Sequence, residues 1–310
     1  MSPDEECFLR ERDRMESDGI YRSANGGRKR RRFRCVSTAL RFFRASSERL
    51  GLRRWVEEAS SRVFLTRRTL SIDGLPEELS GFRILHVTDP HVDAVPGLDS
   101  AIRSAMLEAG PVDLCAFTGD YRFGSSGSHA SCLPGLRSLA LTATELAGNR
   151  VFSVLGNHDS AAMARDMAEL GMGVLLNASA RMESRGRSIL VHGTDDVYRF
   201  WTEAADRSME SAGLEAADLR IALVHSQGLS DLAAASGFHL YLTGHTHRGQ
   251  VALPFGLPLL THRDASWRRT FGSWRVGGMV GHTSSGAGTS GMALRLFTRS
   301  EVALLELVPR

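Results

Sequence analysis

Five short segments of the sequence place carboxylate, amide or imidazole side chains directly after an apolar run. They are LHVTDPH (85–91), AFTGD (116–120), SVLGNHD (153–159), IALVH (221–225) and YLTGHTH (241–247). Oxygen and imidazole nitrogen atoms are protein ligands for manganese, iron and zinc. One such segment alone fits a turn or a helix cap. Five in one chain, all without cysteine, predict a metal centre.

The elements that carry these segments follow from the hydrophobic pattern. Short apolar runs alternate with helical periodicity up to residue 170, which indicates buried strands of βαβ units. Strands are predicted at 68–76, 83–89, 112–120, 150–157, 173–176, 179–183, 188–192, 220–225, 239–243, 274–281, 292–297 and 301–308, and helices at 98–109, 134–147, 160–170 and 200–211. Polar groups collect at the carboxyl ends of such strands. The pattern therefore predicts one α/β domain, residues 69–310, made of two sheets covered by helices.

Residues 1–68 differ in composition from the rest. Residues 1–27 are polar and mixed in charge, which predicts disorder. Residues 28–68 hold 14 basic and three acidic side chains, although the whole chain has a net charge of only +3. Apolar residues recur there at helical spacing and predict an amphipathic helix; they are Phe33, Val36, Leu40, Phe43 and Leu50.

The basic amphipathic pattern favours contact with an anionic membrane surface. A solvated arm and a helix docked on its own domain remain alternatives. The start of a twin-arginine export signal is a third, although Arg41 and Arg44 interrupt the apolar stretch that should follow. Nucleic acid is disfavoured as a partner, because no aromatic stacking platform accompanies the arginines.

Bulk properties limit the remaining classes. No run of about 18 apolar residues occurs, so no transmembrane helix is expected. The four cysteines show no C-x-x-C pair, which argues against a zinc ribbon or a disulfide framework. We therefore expect a reducing, cytoplasmic location, peripheral on the inner face of the cell membrane if the basic region binds lipid.

In their order, the five segments resemble the D-x-H, G-D, G-N-H-D, H and G-H-x-H signature of the calcineurin-like metallophosphoesterase superfamily. The resemblance covers about residues 69–310. Within the superfamily the chain is most similar to a bacterial membrane-associated group that includes enzymes of the UDP-2,3-diacylglucosamine pyrophosphatase type. The resemblance implies a four-layer αββα sandwich of two mixed sheets flanked by helices.

The resemblance also implies a role for each polar residue. It implies two divalent metal ions, with manganese preferred over iron or zinc, and Asp120 as the bridging ligand. The ligands of the first ion would be completed by Asp89, His91 and His247, and those of the second by Asn157, His225 and His245. His158 matches the proton donor of the family, and we expect the adjacent Asp159 to orient it.

Several neighbouring residues are weaker candidates. Arg122 and Arg248 are candidates for binding a phosphate oxygen of the substrate. Asp93 is a candidate hydrogen-bond partner of His91, and His129 a member of a mobile substrate loop. Asp195 and Asp196 are read as a helix cap. No role is assigned to the remaining histidines, His86, His192, His239, His262 and His282.

The favoured hypothesis is a dinuclear phosphohydrolase in which water activated between the ions attacks a phosphoester or pyrophosphate bond. A lipid-linked substrate at the membrane surface is one option for its phosphate-containing substrate. A nuclease of the same superfamily and a non-catalytic metal-binding scaffold are the alternatives.

Overall fold

The structure is a computed structural model that describes residues 3–24, 58, 60–252, 267–291 and 293–310. It contains two six-stranded mixed sheets, with strand orders β1-β12-β2-β3-β4-β5 and β10-β11-β9-β8-β7-β6. The strands are β1 (Val63–Ile72), β2 (Phe82–Val87), β3 (Leu114–Thr118), β4 (Val151–Val154), β5 (Gly173–Val174), β6 (Ala178–Ser184), β7 (Arg187–Gly193), β8 (Leu219–Leu223), β9 (Leu240–Thr243), β10 (Gly272–Val276), β11 (Met279–Thr283) and β12 (Ser300–Pro309).

Six α-helices lie in the described part of the chain. They are α1 (Pro3–Asp18), α2 (Leu98–Ala109), α3 (Leu133–Ala147), α4 (Ala161–Glu169), α5 (Glu203–Leu214) and α6 (Ser230–Ala235). Helix α4 begins at Ser160, whose hydroxyl accepts a hydrogen bond from the Met163 amide at 3.3 Å. Helices α2 and α3 end at Gly110 and Gly148, both with positive φ, as expected for helix C-termini.

Alternating side chains of the strands divide the core into three apolar layers. In β2, Leu85 and Val87 pack against α2, α3 and α4, whereas Phe82 and Ile84 face the second sheet. In β8, Ile221 belongs to the layer between the sheets, and Ala222 packs toward α5 and α6. These layers confirm the α/β fold with two mixed sheets between helical layers.

The topology brings the carboxyl ends of the central strands to one edge. Strands β2, β3 and β4 are parallel in the first sheet, and β7, β8 and β9 are parallel in the second. The five polar segments follow β2, β3, β4, β8 and β9, so they meet where the two sheets face each other. Strand β1 is parallel to β12 and starts beside Ser300, so the chain also enters the domain at this edge.

The sequence-based elements differ from the structure at three places. The strand predicted at 274–281 is a hairpin of β10 and β11, because Gly277 has a positive φ and turns the chain. The described residues of 292–297 form no strand; only Leu296 makes an isolated bridge, to Val251. Helix α6 was not predicted, since its six residues are too few to show a helical period.

The N-terminal prediction is partly wrong. Residues 3–18 form α1 rather than a disordered segment, and Leu9 and Met15 are buried, with Leu9 packed in the same core layer as α2, α3 and α4. Pro3 followed by three acidic residues is a helix-start signal that an overall polar composition obscured.

The predicted amphipathic helix at 33–50, with most of the basic region, lies outside the described residues, as does His262. Among the described helices, none has the length and apolar character needed to cross a membrane.

Candidate metal centre

The polar side chains of the centre sit on strained backbone just past the strand ends. Five of them have positive φ: Asp89 (49°), His91 (37°), Asp120 (60°), His245 (66°) and His247 (49°). A non-glycine residue in this region costs on the order of 1–3 kcal/mol and persists where the surrounding structure enforces it. Such strain clusters at functional sites, which is consistent with a role for these residues beyond folding.

Two glycines of the segments allow the loops to approach closely. A Cβ atom added to Gly156 would collide with the carboxylate of Asp120, and one added to Gly244 would collide with Thr88 and Asp89. Only a residue without a side chain fits at these contacts. The glycines therefore hold the ligand-bearing loops against one another.

The first group of ligand-type side chains consists of Asp89, His91, Asp120 and His247, all buried, with one ligand atom of each within 4.8 Å of the others. Nε2 of His247 lies 3.2 Å from Oδ1 of Asp89, and Nε2 of His91 lies 3.8 Å from Oδ2 of Asp120. The rings of His91 and His247 are stacked, with centroids 5.2 Å apart. These atoms converge on one point between the sheets.

The second group consists of Asp120, His225 and His245, which meet the same distance criterion. Nε2 of His225 lies 3.4 Å from Oδ2 of Asp120 and 3.2 Å from Oδ1 of Asn157. Nδ1 of His245 lies 3.2 Å from Nε2 of His225. The structure thus brings together all seven predicted metal ligands, and Asp120 belongs to both groups.

Backbone carbonyls fix which nitrogen of each ring faces the centre. Nδ1 of His91 donates to the carbonyl of Arg122, and Nδ1 of His225 donates to that of Thr118, both at 2.7 Å. A carbonyl only accepts, so Nδ1 of both rings carries a proton and Nε2 is the nitrogen directed at the centre. Metal-ligating histidines are oriented in this way.

The charges of the centre favour a cation. Burial by itself would raise the pKa of Asp120, but His225 and His158 hold that pKa well below its usual range. Burial would likewise raise the pKa of Asp89, yet His247 keeps it below normal. Burial lowers the pKa of His91 to about 3 despite the nearby Asp120. Two ionised carboxylates thus lie beside the neutral imidazole of His91. Despite burial, Asp120 and Asp89 raise the pKa of His225 well above its usual value, and a bound divalent ion would take the place of that proton.

Unpartnered polar atoms provide an independent test of fit. In the part of the chain that the structure describes, Nε2 of His91 is buried without a hydrogen-bond partner, and Nε2 of His247 and Oδ1 of Asp89 are buried with no near partner but each other. Buried polar atoms are normally satisfied. Because these three atoms face the same point and are all metal-ligand types, the residues present fit a bound divalent ion.

His158 stands at the border of the centre. Its Nδ1 donates to the carbonyl of Phe123 at 2.8 Å, and its Nε2 lies 3.9 Å from Oδ2 of Asp120 and 3.3 Å from the hydroxyl of Ser290. The side chain is 15% exposed, so Nε2 can exchange a proton with a bound molecule.

Asp159 does not contact His158, contrary to the sequence-based expectation. Its carboxylate accepts hydrogen bonds from the amides of Asp120, Tyr121 and Gly156, at 2.7–2.8 Å. Asp159 therefore joins the loop after β3 to the loop after β4. Adjacency in sequence suggested a catalytic pair, but the tight turn points the two side chains in different directions.

The guanidinium groups of the two predicted phosphate-binding arginines contact groups other than the ligand side chains. Arg122 is buried, and it donates to the carbonyls of His158 and Gly127, which makes it a brace for these loops. Arg248 lies over the ring of Phe271 at 4.1 Å. The guanidinium of Arg122 is occupied by backbone carbonyls, so its predicted contact with substrate is not supported.

The other weak candidates also have different partners. Asp93 accepts from the Phe123 amide and the Ser131 hydroxyl rather than from His91.

His129 is paired with Asp166 of α4. Asp196 accepts from the amides of Tyr198 and Arg199 and caps that turn, whereas Asp195 accepts a hydrogen bond from Arg12.

Sequence reasoning missed two further residues at the centre. Arg295 is fully buried behind His247 and donates to the carbonyls of Ser285 and Gly288 at 2.9 and 2.7 Å. Tyr198 is 36% exposed, with its ring centroid 4.4 Å from that of His245. Arg295 follows no strand, and Tyr198, five residues past the end of β7, is not a common metal ligand, so the spacing of ligand types carries no signal for them.

The model of the calcineurin-like phosphoesterase family matches residues 82–249. The match spans more than half of the chain and includes all five polar segments. The chain therefore belongs to this family, and its buried Asp and His cluster makes it a metal-dependent phosphoesterase, a hydrolase.

Two relatives extend the match beyond that region. YkuE of Bacillus subtilis strain 168, described as an uncharacterized metallophosphoesterase, is 26% identical over 260 residues, which cover 78% of this chain and 84% of YkuE. The phosphodiesterase YaeI of Escherichia coli K12 is 29% identical over 242 residues, or 73% of this chain and 82% of YaeI.

Among solved structures, the NAD nucleotidase NadN of Haemophilus influenzae aligns with a TM-score of 0.46 and 16% identity. The alignment covers 67% of this chain and 45% of NadN, so this chain spans less than half the length of that protein.

Proposed function

We propose that the protein is a dinuclear metal-dependent phosphohydrolase that cleaves a phosphoester or pyrophosphate bond. The observation that carries the proposal is the pair of ligand groups that share Asp120. A carboxylate between two like charges lowers their repulsion, which is the arrangement two-metal hydrolases use. Ligation by oxygen and nitrogen without thiolate favours manganese, with iron or zinc as alternatives.

Two bound divalent ions would supply an activated water and polarise the phosphoryl oxygens. The residues of the chain set the rest of the chemistry. Asp120, oriented by the hydrogen bond from the His158 amide at 2.8 Å, fixes the distance between the two groups. The carbonyl partners of His91 and His225 keep Nε2 directed at the centre.

His158 is proposed to protonate the leaving oxygen. Its Nδ1 is held by the carbonyl of Phe123, so the transferable proton is on Nε2 at the open side of the centre. General acid catalysis of this kind contributes roughly 10²–10⁴-fold to a rate.

The test uses metal-stripped protein resupplied with Mn²⁺, Fe²⁺ or Zn²⁺. Turnover of bis-para-nitrophenyl phosphate and para-nitrophenyl phosphate is measured together with metal content per chain. We expect about two ions and manganese-dependent turnover in the wild type, and less metal with no turnover in Asp120→Asn. His158→Asn should keep its metal and lose turnover. His239→Asn, far from the centre, is the matched control.

The same assay separates the alternatives. YaeI is named a phosphodiesterase, which supports including the diester substrate. A nuclease would also nick supercoiled plasmid or degrade single-stranded DNA under the conditions that support diester turnover. Two bound ions without turnover of any substrate would contradict the proposal and favour a non-catalytic scaffold.

We further propose that the basic region at 28–68, together with the metal-centre edge, docks on an anionic membrane surface inside the cell, where a lipid-linked substrate would be met. Exposed aromatic rings stand at this edge beside arginines. Arg299 lies 5.4 Å from the ring of Phe64, and Arg268 lies 5.7 Å from the ring of Trp267. Both Phe64 and Trp267 are exposed. Aromatic and basic side chains at one edge suit a lipid interface.

Vesicle sedimentation tests this second proposal. Deleting residues 1–68 would remove α1 and part of β1 as well, so charge neutralisation is the cleaner change. Arg30, Arg31 and Arg32 are replaced by Gln, and the control replaces Arg103, Arg137 and Arg207 on the helical faces. At about 1 kcal/mol per arginine, the first triple should weaken binding to phosphatidylglycerol vesicles about 100-fold. Equal binding by both triples would reject the membrane role.

A further inference from the structure

The N-terminal segment 3–24 lies against the loop that carries Asn157 and His158. Helix α1 contacts α4, which directly follows that loop. Glu16 of α1 accepts a hydrogen bond from the Ala161 amide at 3.2 Å. Farther along, Arg22 forms an isolated parallel bridge with Phe200. The segment is thus attached on both sides of the ligand-bearing loop.

Arg12 makes the central contact of this interface. Its side chain is fully buried, and Nη2 donates to the carbonyls of Gly156 and Asp159, both at 2.7 Å. These two carbonyls flank Asn157 and His158 on either side. One nitrogen atom therefore closes the loop that presents a predicted metal ligand and the predicted proton donor.

The remaining contacts of the Arg12 guanidinium compensate for its burial. Nη1 donates to the carboxylate of Asp195, and the guanidinium carbon lies 3.7 Å from the ring centroid of Phe200. A buried charge costs several kcal/mol unless it is paired and hydrogen-bonded. Arg12 meets both conditions, and the carbonyls of Gly156 and Asp159 are among the groups that accept its hydrogen bonds.

A second contact from the same segment reaches the same loop independently. The guanidinium carbon of Arg199 lies 3.8 Å from the centroid of the Tyr21 ring. Nη1 of Arg199 donates to the carbonyl of Asn157 at 3.3 Å. The three carbonyls of Gly156, Asn157 and Asp159 are therefore held directly or indirectly by residues 3–24.

We infer that Arg12 is a positioning residue of the active site, which holds the Gly156–Asp159 loop so that Asn157 and His158 face the metal centre. The inference rests on the proposed function, since it concerns the metal group that contains Asn157. It assigns a functional part to a segment whose composition suggested disorder. Arg12 touches neither substrate nor metal and acts through the loop.

The test compares three full-length variants with the wild type. Arg12→Met removes the donors and keeps much of the side-chain volume. Arg14→Met changes an arginine on the exposed face of the same helix, where the side chain is 82% exposed. Leu9→Ala weakens the docking of α1 through a buried apolar residue and leaves the donors of Arg12 intact. Equilibrium dialysis with manganese gives the affinity of each ion, and amide exchange reports on residues 156–159.

We expect Arg12→Met to weaken binding of one of the two ions about 10–100-fold, as changes behind a metal ligand do. Amide exchange at 156–159 should become faster, and raised manganese should restore part of the turnover. Arg14→Met should match the wild type. Leu9→Ala should lower the melting temperature while the folded protein keeps its metal affinity.

Three outcomes overturn the inference. They are unchanged affinity in Arg12→Met, equal loss of affinity in Leu9→Ala, and unchanged amide exchange at residues 156–159 in Arg12→Met. If Arg12→Met does not fold, Arg12→Lys replaces it. We expect Arg12→Lys to weaken metal binding less than Arg12→Met would, because the single ammonium nitrogen can still donate to a loop carbonyl. Failure of the wild type itself to bind two ions would instead reject the proposed function.

Discussion

Two sets of histidines in this molecule are equally buried but differ in where they lie relative to the ends of the strands. His91, His225, His245 and His247 form the metal centre, whereas His86, His192 and His282 lie in the core, and all seven are buried. Burial lowers the pKa of both His91 and His86 to about 3. Burial therefore does not separate a metal ligand from a core histidine, and for His91 and His86 the pKa does not either, although Asp120 and Asp89 raise the pKa of the ligand His225 well above its usual value despite its burial.

Position along the strand and the available partners do separate them. His86 and His282 lie within β2 and β11, and their Nδ1 atoms are 3.2 Å apart. Nε2 of His86 also pairs with the hydroxyl of Thr118 at 2.9 Å. His91 instead follows its strand with positive φ, and its Nε2 faces carboxylates. A ligand histidine lies past the strand end, where the chain can turn its ring toward other loops.

The largest expected effect comes from replacing one histidine of each set by asparagine and comparing the two variants. Asparagine tolerates the positive φ of this position, so His91→Asn removes the imidazole without further strain. It should lower turnover about 100-fold or more, because even changes to the groups that hold a metal ligand in place cost 10–100-fold. His86→Asn should keep turnover within a few-fold but lower the free energy of unfolding by about 1–3 kcal/mol. Steady-state kinetics and urea unfolding give both numbers. If His86→Asn lost turnover as His91→Asn does, the distinction between the sets would fail.

Asp159→Asn tests whether a buried side chain outside the ligand set can position it. The amide group cannot accept all three backbone hydrogen bonds, so we expect a loss of stability of about 2–3 kcal/mol. Turnover should fall about 10–100-fold through displacement of Asp120. Asp218→Asn is the control, since Asp218 also accepts from a backbone amide, that of Ser188, but at the amino end of β8, away from the ligand loops. Similar kinetics for both variants would contradict the positioning role.

The same contrast explains which residues of the centre could be predicted from the sequence. The sequence pointed to the seven proposed ligands that the structure brings together because each lies two to four residues past an apolar strand, and that spacing is local. Asp159, Arg122 and Arg12 act on backbone groups distant in the chain, and no spacing encodes those partners. The strands and helices around the centre were predicted well for the same local reason, whereas α1 was not, because its buried side is only a few residues wide.

The core pair should also give the protein a dependence of stability on pH. Burial lowers the pKa of His86 and His282 to about 3, and each ring also feels charged neighbours: Glu301 and Asp89 for His86, and Arg68 for His282. The unfolded chain binds these protons near pH 6.5 and the folded protein near pH 3. Stability should therefore fall as pH decreases from about 6.5 to 3, by on the order of 2 kcal/mol per ring at pH 5.

Urea unfolding of metal-free protein at pH 7 and pH 5 measures this effect. The double variant His86→Asn, His282→Asn should lose less stability between the two pH values than the wild type does. All other groups are common to both proteins, so the difference between the two losses belongs to the pair. Equal losses would show that the pair does not remain neutral in the folded state.

The smallest expected effect concerns the exposed side of the centre. The ring of Tyr198 lies beside His245 and is open to a bound molecule, so a flat leaving group such as para-nitrophenyl can pack against it. Aromatic packing contributes about 1 kcal/mol, which corresponds to about a fivefold rise in KM for Tyr198→Ala with little change in kcat. Tyr198→Phe keeps the ring and should match the wild type. A large fall in kcat for Tyr198→Ala would instead mean that the ring positions His245, which would extend the set of positioning residues to the open side of the centre.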